Sequence, residues 1–182
     1  MTTLDVRRKR VGLLTDLIFM SLSSDQKATP IGDAFSGFTA NAKNLIVDPE
    51  LYVRLLDKDR VSVDAVGGGR FWRMDNSLDL LPGIQPEVKV GQTQDWVDPV
   101  VGARFRVNFN KGWFVSLKGD AGGFGVGSQL TWQTYLGIGK EFKKKYSMLL
   151  GYRYLDVDYE NGGFLYDTHM NGPLAGFAIR FK

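Results

Sequence analysis

The chain has 182 residues, 23 lysines and arginines against 20 acids, one histidine and no cysteine. That length suits one domain over residues 1–182, and the missing cysteines exclude a disulfide framework and a thiolate metal site. The net charge of +3 is scattered instead of forming a basic stripe, which argues against a nucleic-acid partner.

The 22 glycines and the 13% share of aromatic residues favour an all-β chain rich in turns. No run of eighteen apolar residues exists, so no ordinary transmembrane helix is expected. A membrane barrel stays open, because its strands need only alternate.

In chain order, Arg7–Arg10 followed by Val11–Leu22 has the outline of a signal peptide. Asp16 interrupts the apolar stretch and no small-residue cleavage site follows, so a strand is predicted there. A true export signal is then expected to have been removed, or to lie outside this sequence. Period-two alternation predicts eight strands: Val11–Phe19, Leu45–Leu55, Val61–Phe71, Pro99–Phe109, Trp113–Gly123, Leu130–Phe142, Tyr146–Tyr154 and Pro173–Phe181. Every second connection is a tight polar turn: Asp57-Lys58-Asp59-Arg60, Asn110-Lys111-Gly112 and Lys143-Lys144-Lys145. The others are mostly long and punctuated by Pro30-Ile31-Gly32, Pro82-Gly83 and Asn161-Gly162-Gly163. Short turns at one rim and long loops at the other are the asymmetry of an up-and-down outer-membrane barrel, with periplasmic turns and extracellular loops. An even strand count puts both termini on the short-turn side.

Sorting the eight windows by parity gives one face with Asp16, Asp48, Glu50, Asp64, Asp120 and Glu141 against Arg54, Arg70, Arg104, Arg106, Lys118, Arg153 and Arg180. The other face holds Lys140 as its single charge. Six acids against seven bases is near neutrality, as an enclosed space requires, because an unpaired charge removed from water costs several kcal/mol. An eight-stranded barrel is just wide enough to be filled by side chains, so this face is expected to form an interior ion-pair network and not an open pore. The planar forks of arginine suit such a network.

On the apolar face, Phe109 and Trp113 flank one short turn, Phe142 and Tyr146 flank another, and Phe181 is the penultimate residue. They are expected to form an aromatic girdle at a membrane interface. Parity alone does not say which face points inward. The alternative is a soluble lipocalin-like barrel with the apolar face inside, binding an apolar ligand. Pro49 sits awkwardly in the second window, since a closed barrel offers no free edge, and it calls for a bulge or a shifted boundary. The runs Gly67-Gly68-Gly69 and Gly122-Gly123 are expected to permit sharp coiling.

No catalytic constellation is expected. The glycine-rich stretch Gly119–Gly127 lacks the Gly-Lys-Ser/Thr of a phosphate loop, and no helix is predicted after it. His169, predicted in a long loop near Tyr166 and Asp167, has no nucleophile motif beside it, and a lone histidine nearly excludes a histidine metal site. No cofactor is expected.

The segments Arg10–Phe19, Trp96–Arg104, Gly119–Gly125, Leu150-Gly151-Tyr152-Arg153-Tyr154 and Gly172–Phe181 resemble a recurring group of bacterial, Gram-negative outer-membrane β-barrel proteins related in style to small OmpA-like and OmpW-like barrels. The resemblance spans nearly the whole chain. It implies an outer-membrane location, lipid and the barrel-insertion machinery as partners, and loops open to a further partner. It carries no catalytic or ligand residues across. It also implies relatives longer at the N-terminus, so that a preceding strand would raise the strand count or leave the first seam open. Lys182 after Phe181 departs from the common aromatic ending of such barrels.

Overall fold

The computed structural model describes residues 2–26, 35–142 and 145–179. Alternating side chains in these segments form nine strands: β1 Thr2–Arg8, β2 Val11–Gln26, β3 Phe35–Lys58, β4 Val61–Pro82, β5 Val88–Asn108, β6 Trp113–Gly122, β7 Leu130–Phe142, β8 Tyr146–Asn161 and β9 Phe164–Ile179. Each strand pairs with its neighbour in sequence, in an antiparallel up-and-down sheet ordered β1 to β9.

The count is therefore nine, not eight. The strand absent from the sequence-based expectation is β1, in which Leu4 and Val6 alternate with Asp5 and Arg7. That signal is short and runs straight into the basic residues Arg7–Arg10. An odd count also makes β1 and β9 run in the same direction, against the even-count expectation for the termini.

All three of the expected long loops are largely strand, the first through residues 20–26 of β2 and 35–44 of β3. Residues 72–82 and 88–98 extend β4 and β5, and β8 and β9 meet at a turn of Gly162 and Gly163. Both glycines have positive φ, +57° and +86°, as a two-residue hairpin with the twist of its strands requires. His169 consequently lies in β9 and not in a loop. The Pro30-Ile31-Gly32 punctuation, Lys143 and Lys144 of one tight turn, and Arg180 and Phe181 lie outside the described residues.

The chain divides into two compact units. Unit 1 comprises Met1–Thr3, Asp16–Asp48 and Phe71–Trp96; its described residues include the buried side chains Ile46, Trp72, Met74 and Trp96. The indoles of Trp72 and Trp96 stack with centroids 5.4 Å apart and planes 12° from parallel.

Unit 2 comprises Leu4–Thr15, Pro49–Arg70 and Val97–Lys182. Its sheet curls. Glu50 on β3 reaches Lys118 on β6, and Asp5 on β1 reaches Arg104 on β5, contacts that a flat sheet would hold far apart.

Glycine permits this curvature at particular places. A Cβ on Gly12 would lie 2.3 Å from the Tyr52 ring, and one on Gly139 would lie 2.4 Å from the Phe114 ring. Aromatic side chains thus lie across glycine on the inner face, a recurrent device for pinning register in coiled sheets. Pro49 stays within β3, and Gly68 presses against it: a Cβ there would be 2.1 Å from the Pro49 carbonyl oxygen. Close approach by glycine is how the neighbouring strand accommodates this proline.

These contacts predict that Gly68→Ala destabilises the fold by about 1–3 kcal/mol, the usual range for overpacking. Gly119→Ala, whose Cβ would have 3.8 Å to the nearest atom, should change stability little. Urea unfolding of both variants checks the contrast.

Candidate functional site

The inner face of unit 2 is charged, and its residues come from strands far apart in sequence. At its centre Arg70 on β4 donates to Asp120 on β6 at 2.7 Å, and both side chains are fully buried. Arg70 also donates to the Thr131 hydroxyl at 3.1 Å. The second oxygen of Asp120 accepts from Gln133 Nε2 at 2.7 Å, and Gln133 Oε1 accepts from Arg153 on β8. Lys118 pairs with Glu50 at 2.5 Å and lies 3.8 Å from Asp120. Five strands are joined by one buried layer of ion pairs and charge-assisted hydrogen bonds, the latter the stronger kind of hydrogen bond. The layer lies on the concave side of the curled sheet.

A second cluster lies nearer the short turns. Asp64 accepts from both Arg54 and Arg104, and Arg54 also reaches Asp57 at 3.3 Å. Arg104 continues to Asp5 at 2.9 Å, while Tyr52 donates to the other oxygen of Asp5 at 2.7 Å. The Arg104 guanidinium lies 4.5 Å from the centre of the Tyr52 ring. Arg106 crosses the face of Phe114 at 3.7 Å and pairs with Glu141 at 3.3 Å. These groups border a cavity of about 1000 Å³.

The predicted interior residues are thus largely brought together. Arg54, Asp64, Arg104, Arg106 and Glu141 form the cluster by the short turns, and Glu50, Arg70, Lys118, Asp120 and Arg153 form the buried layer. Asp16 and Asp48 belong to unit 1, where both are buried, and Asp16 accepts from the Thr3 hydroxyl at 2.7 Å. Asp5, Thr131 and Gln133 were outside the expected set. Asp5 lay on the unrecognised first strand, and a search restricted to charge passes over neutral hydrogen-bonding groups.

Asp98 was also outside the expected set, because it immediately preceded a predicted window. It is fully buried and accepts from the Ser128 amide at 2.6 Å and from the Ser128 hydroxyl at 2.8 Å. These two hydrogen bonds hold the β6–β7 connection, in which Gly123, Phe124 and Gly125 all have positive φ.

The outer face of unit 2 has the opposite character. Leu51, Leu55, Val101, Phe105, Leu136 and Leu150 are exposed, the last two at 54% and 64%. Phe109, Trp113 and Phe142 of the expected girdle are exposed there, and Tyr146 is half-buried against Phe177. Lys140, the single charge predicted on this face, sits opposite Trp113 in the β6–β7 register, and its ammonium lies 5.3 Å from the indole and 5.5 Å from the Phe142 ring. A lysine placed among rim aromatics can run its stem along them and keep its charge in water.

A second group of aromatic residues lies at the other end of these strands. Trp132 stacks on Tyr154 at 4.9 Å, and Tyr154 in turn stacks on His169 at 6.1 Å. From Trp132 to Phe142 is about ten residues, roughly 34 Å along the strand at about 3.4 Å each, or about 25 Å of height at the tilt of roughly 45° usual in membrane barrels. This second group was legible as alternation on β7 and β8 but had no tight turn beside it to draw attention.

Among the described residues, no three His, Asp or Glu side chains are grouped to hold a metal ion. No protein-family model, curated protein or solved structure matches the chain.

The geometry predicts an asymmetry in a mutational cycle. Arg70→Met leaves Asp120 buried without its strongest partner and should cost about 3–5 kcal/mol. Arg70→Met combined with Asp120→Leu should recover most of that loss, since removing a buried pair altogether is often near neutral. Equilibrium unfolding of the three variants measures the coupling.

Proposed function

We propose that the chain is a non-enzymatic integral β-barrel of the bacterial outer membrane, with a structural role and a porin-like interior that passes small solutes only when its ion-pair layer opens. The observation that carries this reading is the inverted burial of unit 2. Arg70, Asp120, Lys118 and Glu50 are inside, while Leu136, Leu150, Val101 and Phe105 are outside. In water, each exposed apolar side chain forgoes roughly 25 cal/mol per Å² of burial, whereas in hydrocarbon it is at home. Extended exposed apolar surface marks a membrane or partner contact.

Two further features support the reading. Strands β2 to β8 pair with a neighbour on both sides and so satisfy their backbone polar groups within the sheet, the requirement that hydrocarbon places on any non-helical span. The two aromatic groups stand about one hydrocarbon thickness apart, as interfacial belts do. Outer-membrane lipid is then the main partner, with the insertion machinery engaging the C-terminal strand and a further partner reaching the turns on the outer side. The buried layer makes the resting state a filled scaffold.

The reading is tested by solubility and gel behaviour. The protein should require detergent, enter lipid nanodiscs, and migrate differently on a denaturing gel before and after boiling. A β-rich monomer soluble without detergent overturns the reading in favour of a soluble barrel. Leu136→Arg, midway between Trp132 and Phe142, should destabilise the inserted protein by about 2–4 kcal/mol, the cost of arginine near a bilayer midplane. Planar-bilayer recordings should show no steady conductance in the unmodified protein.

A further inference from the structure

The antiparallel order β1 to β9 puts the β1–β2, β3–β4, β5–β6 and β7–β8 connections at one end of the sheet, and all four belong to unit 2. They are tied to their neighbours there. The Arg54 amide of β3 donates to the Arg10 carbonyl at 2.7 Å, the Asn108 amide to the Arg60 carbonyl at 2.7 Å, and the Arg60 guanidinium to Asn110 Oδ1 at 3.1 Å. Bases scattered along the sequence are thereby collected at one rim. Arg8, Lys9 and Arg10 stand at the first connection, and Lys58 and Arg60 at the second. Lys111 and Lys145 stand at the third and fourth, and all of these bases are exposed. The exposed acids beside them are Asp57, already paired with Arg54, and Asp59. At the opposite end of unit 2 the β6–β7 connection carries no charge, and the exposed charges around the β8–β9 turn are Asp158, Glu160 and Asp167.

Two of the rim lysines are held against backbone preference. Lys9 and Lys111 have φ of +57° and +61°, the left-handed region in which glycine or asparagine is the less strained choice. Gly112 follows Lys111 at φ +80°, and two successive positive-φ residues form the kind of turn for which Asn-Gly is the usual pair. Lysine at either site gives up backbone stability and keeps a positive charge at the tip.

The outer-face aromatics lie directly beneath these bases. Lys111 falls between Phe109 and Trp113 in the chain, and the Lys145 ammonium is 5.5 Å from the Tyr146 ring. With those rings at a membrane interface, the reading on which this inference rests, the bases stand at the level of the headgroup phosphates. We propose that the short-turn rim binds anionic phospholipid headgroups of the leaflet it faces, around the mouth of the inner cavity that Arg7, Lys111 and Lys145 border. An acidic protein is the less fitting partner. A stable protein interface centres on a buried apolar core, whereas the centre of this rim is a cavity lined by Asp64, Arg104 and Glu141. Headgroups can instead meet each turn separately.

The preference is read by native mass spectrometry of the full chain released from nanodiscs of phosphatidylcholine and phosphatidylglycerol in equal parts. Retained phosphatidylglycerol should exceed phosphatidylcholine about fivefold, and the excess should shrink when the discs are equilibrated at rising salt. Lys9→Gly/Lys111→Asn should at least halve the excess while unfolding in urea at or above the concentration that unfolds the unmodified protein. If that variant does not fold, Arg8→Gln/Arg10→Gln/Lys58→Gln should produce the same loss, and Asp158→Asn/Glu160→Gln at the opposite end should leave the excess unchanged. Equal retention of the two lipids, an excess indifferent to salt, or an excess undiminished in the rim variants that fold overturns the proposal. So does stacking of copies, basic end to acidic end, that Asp158→Asn/Glu160→Gln abolishes and that accounts for the bound charge. Entry into discs of phosphatidylcholine alone reports separately on the membrane reading: a chain that enters them and shows no lipid preference keeps that reading and ends this one. A chain that stays in water is floated with vesicles of the same two compositions, where salt-sensitive binding to the anionic vesicles alone upholds the rim and equal or absent binding overturns it.

Discussion

Charges buried on an inner face must be partnered, and the arrangement of unit 2 follows from that constraint. Arg70 and Asp120 come from strands separated by β5, and curl of the sheet shortens the reach their side chains must span. Lys118 and Glu50 impose the same demand on β6 and β3. Glycine and aromatic residues answer it locally: Gly12 beneath Tyr52 and Gly139 beneath Phe114 let strands bend where side chains on both would collide. The ion pairs and the glycines are therefore two halves of one device. The pairs demand curvature, and the glycines permit it.

Pairing on the inside leaves the outside for apolar residues, and this inversion has consequences for stability. A soluble domain gains most from burying leucine and valine, whereas unit 2 buries arginine and aspartate. Replacing such pairs by apolar residues is often neutral, so their presence does not by itself maximise stability. They give the inner layer a defined set of partners. Asp64 is shared by two arginines and Asp120 bonds to Arg70 and Gln133, so shifting one strand by a residue would break several contacts together.

Unit 1 solves its packing differently. Stacked indoles at Trp72 and Trp96 fill part of its inner face, while Ala40 and Ala42 leave another part open. The same strands, with the same alternation, thus contribute to two units of different chemistry.

The sequence by itself determined the strand character, the neighbour-to-neighbour order and the sorting of charge onto one face, because a period of two can be read locally. It also marked Arg54, Asp64, Arg70, Lys118, Asp120 and Arg153 as members of that face. It missed β1, whose alternation was too short, and it read strand extensions as loops where polar residues appeared on both faces. Tertiary structure alone decided that the charged face points inward, since parity is blind to direction, and it alone matched Arg70 with Asp120 and Arg104 with Asp5. Those pairings depend on how tightly the sheet curls. Curl is a sum of many small close approaches at glycines, and no single residue announces it.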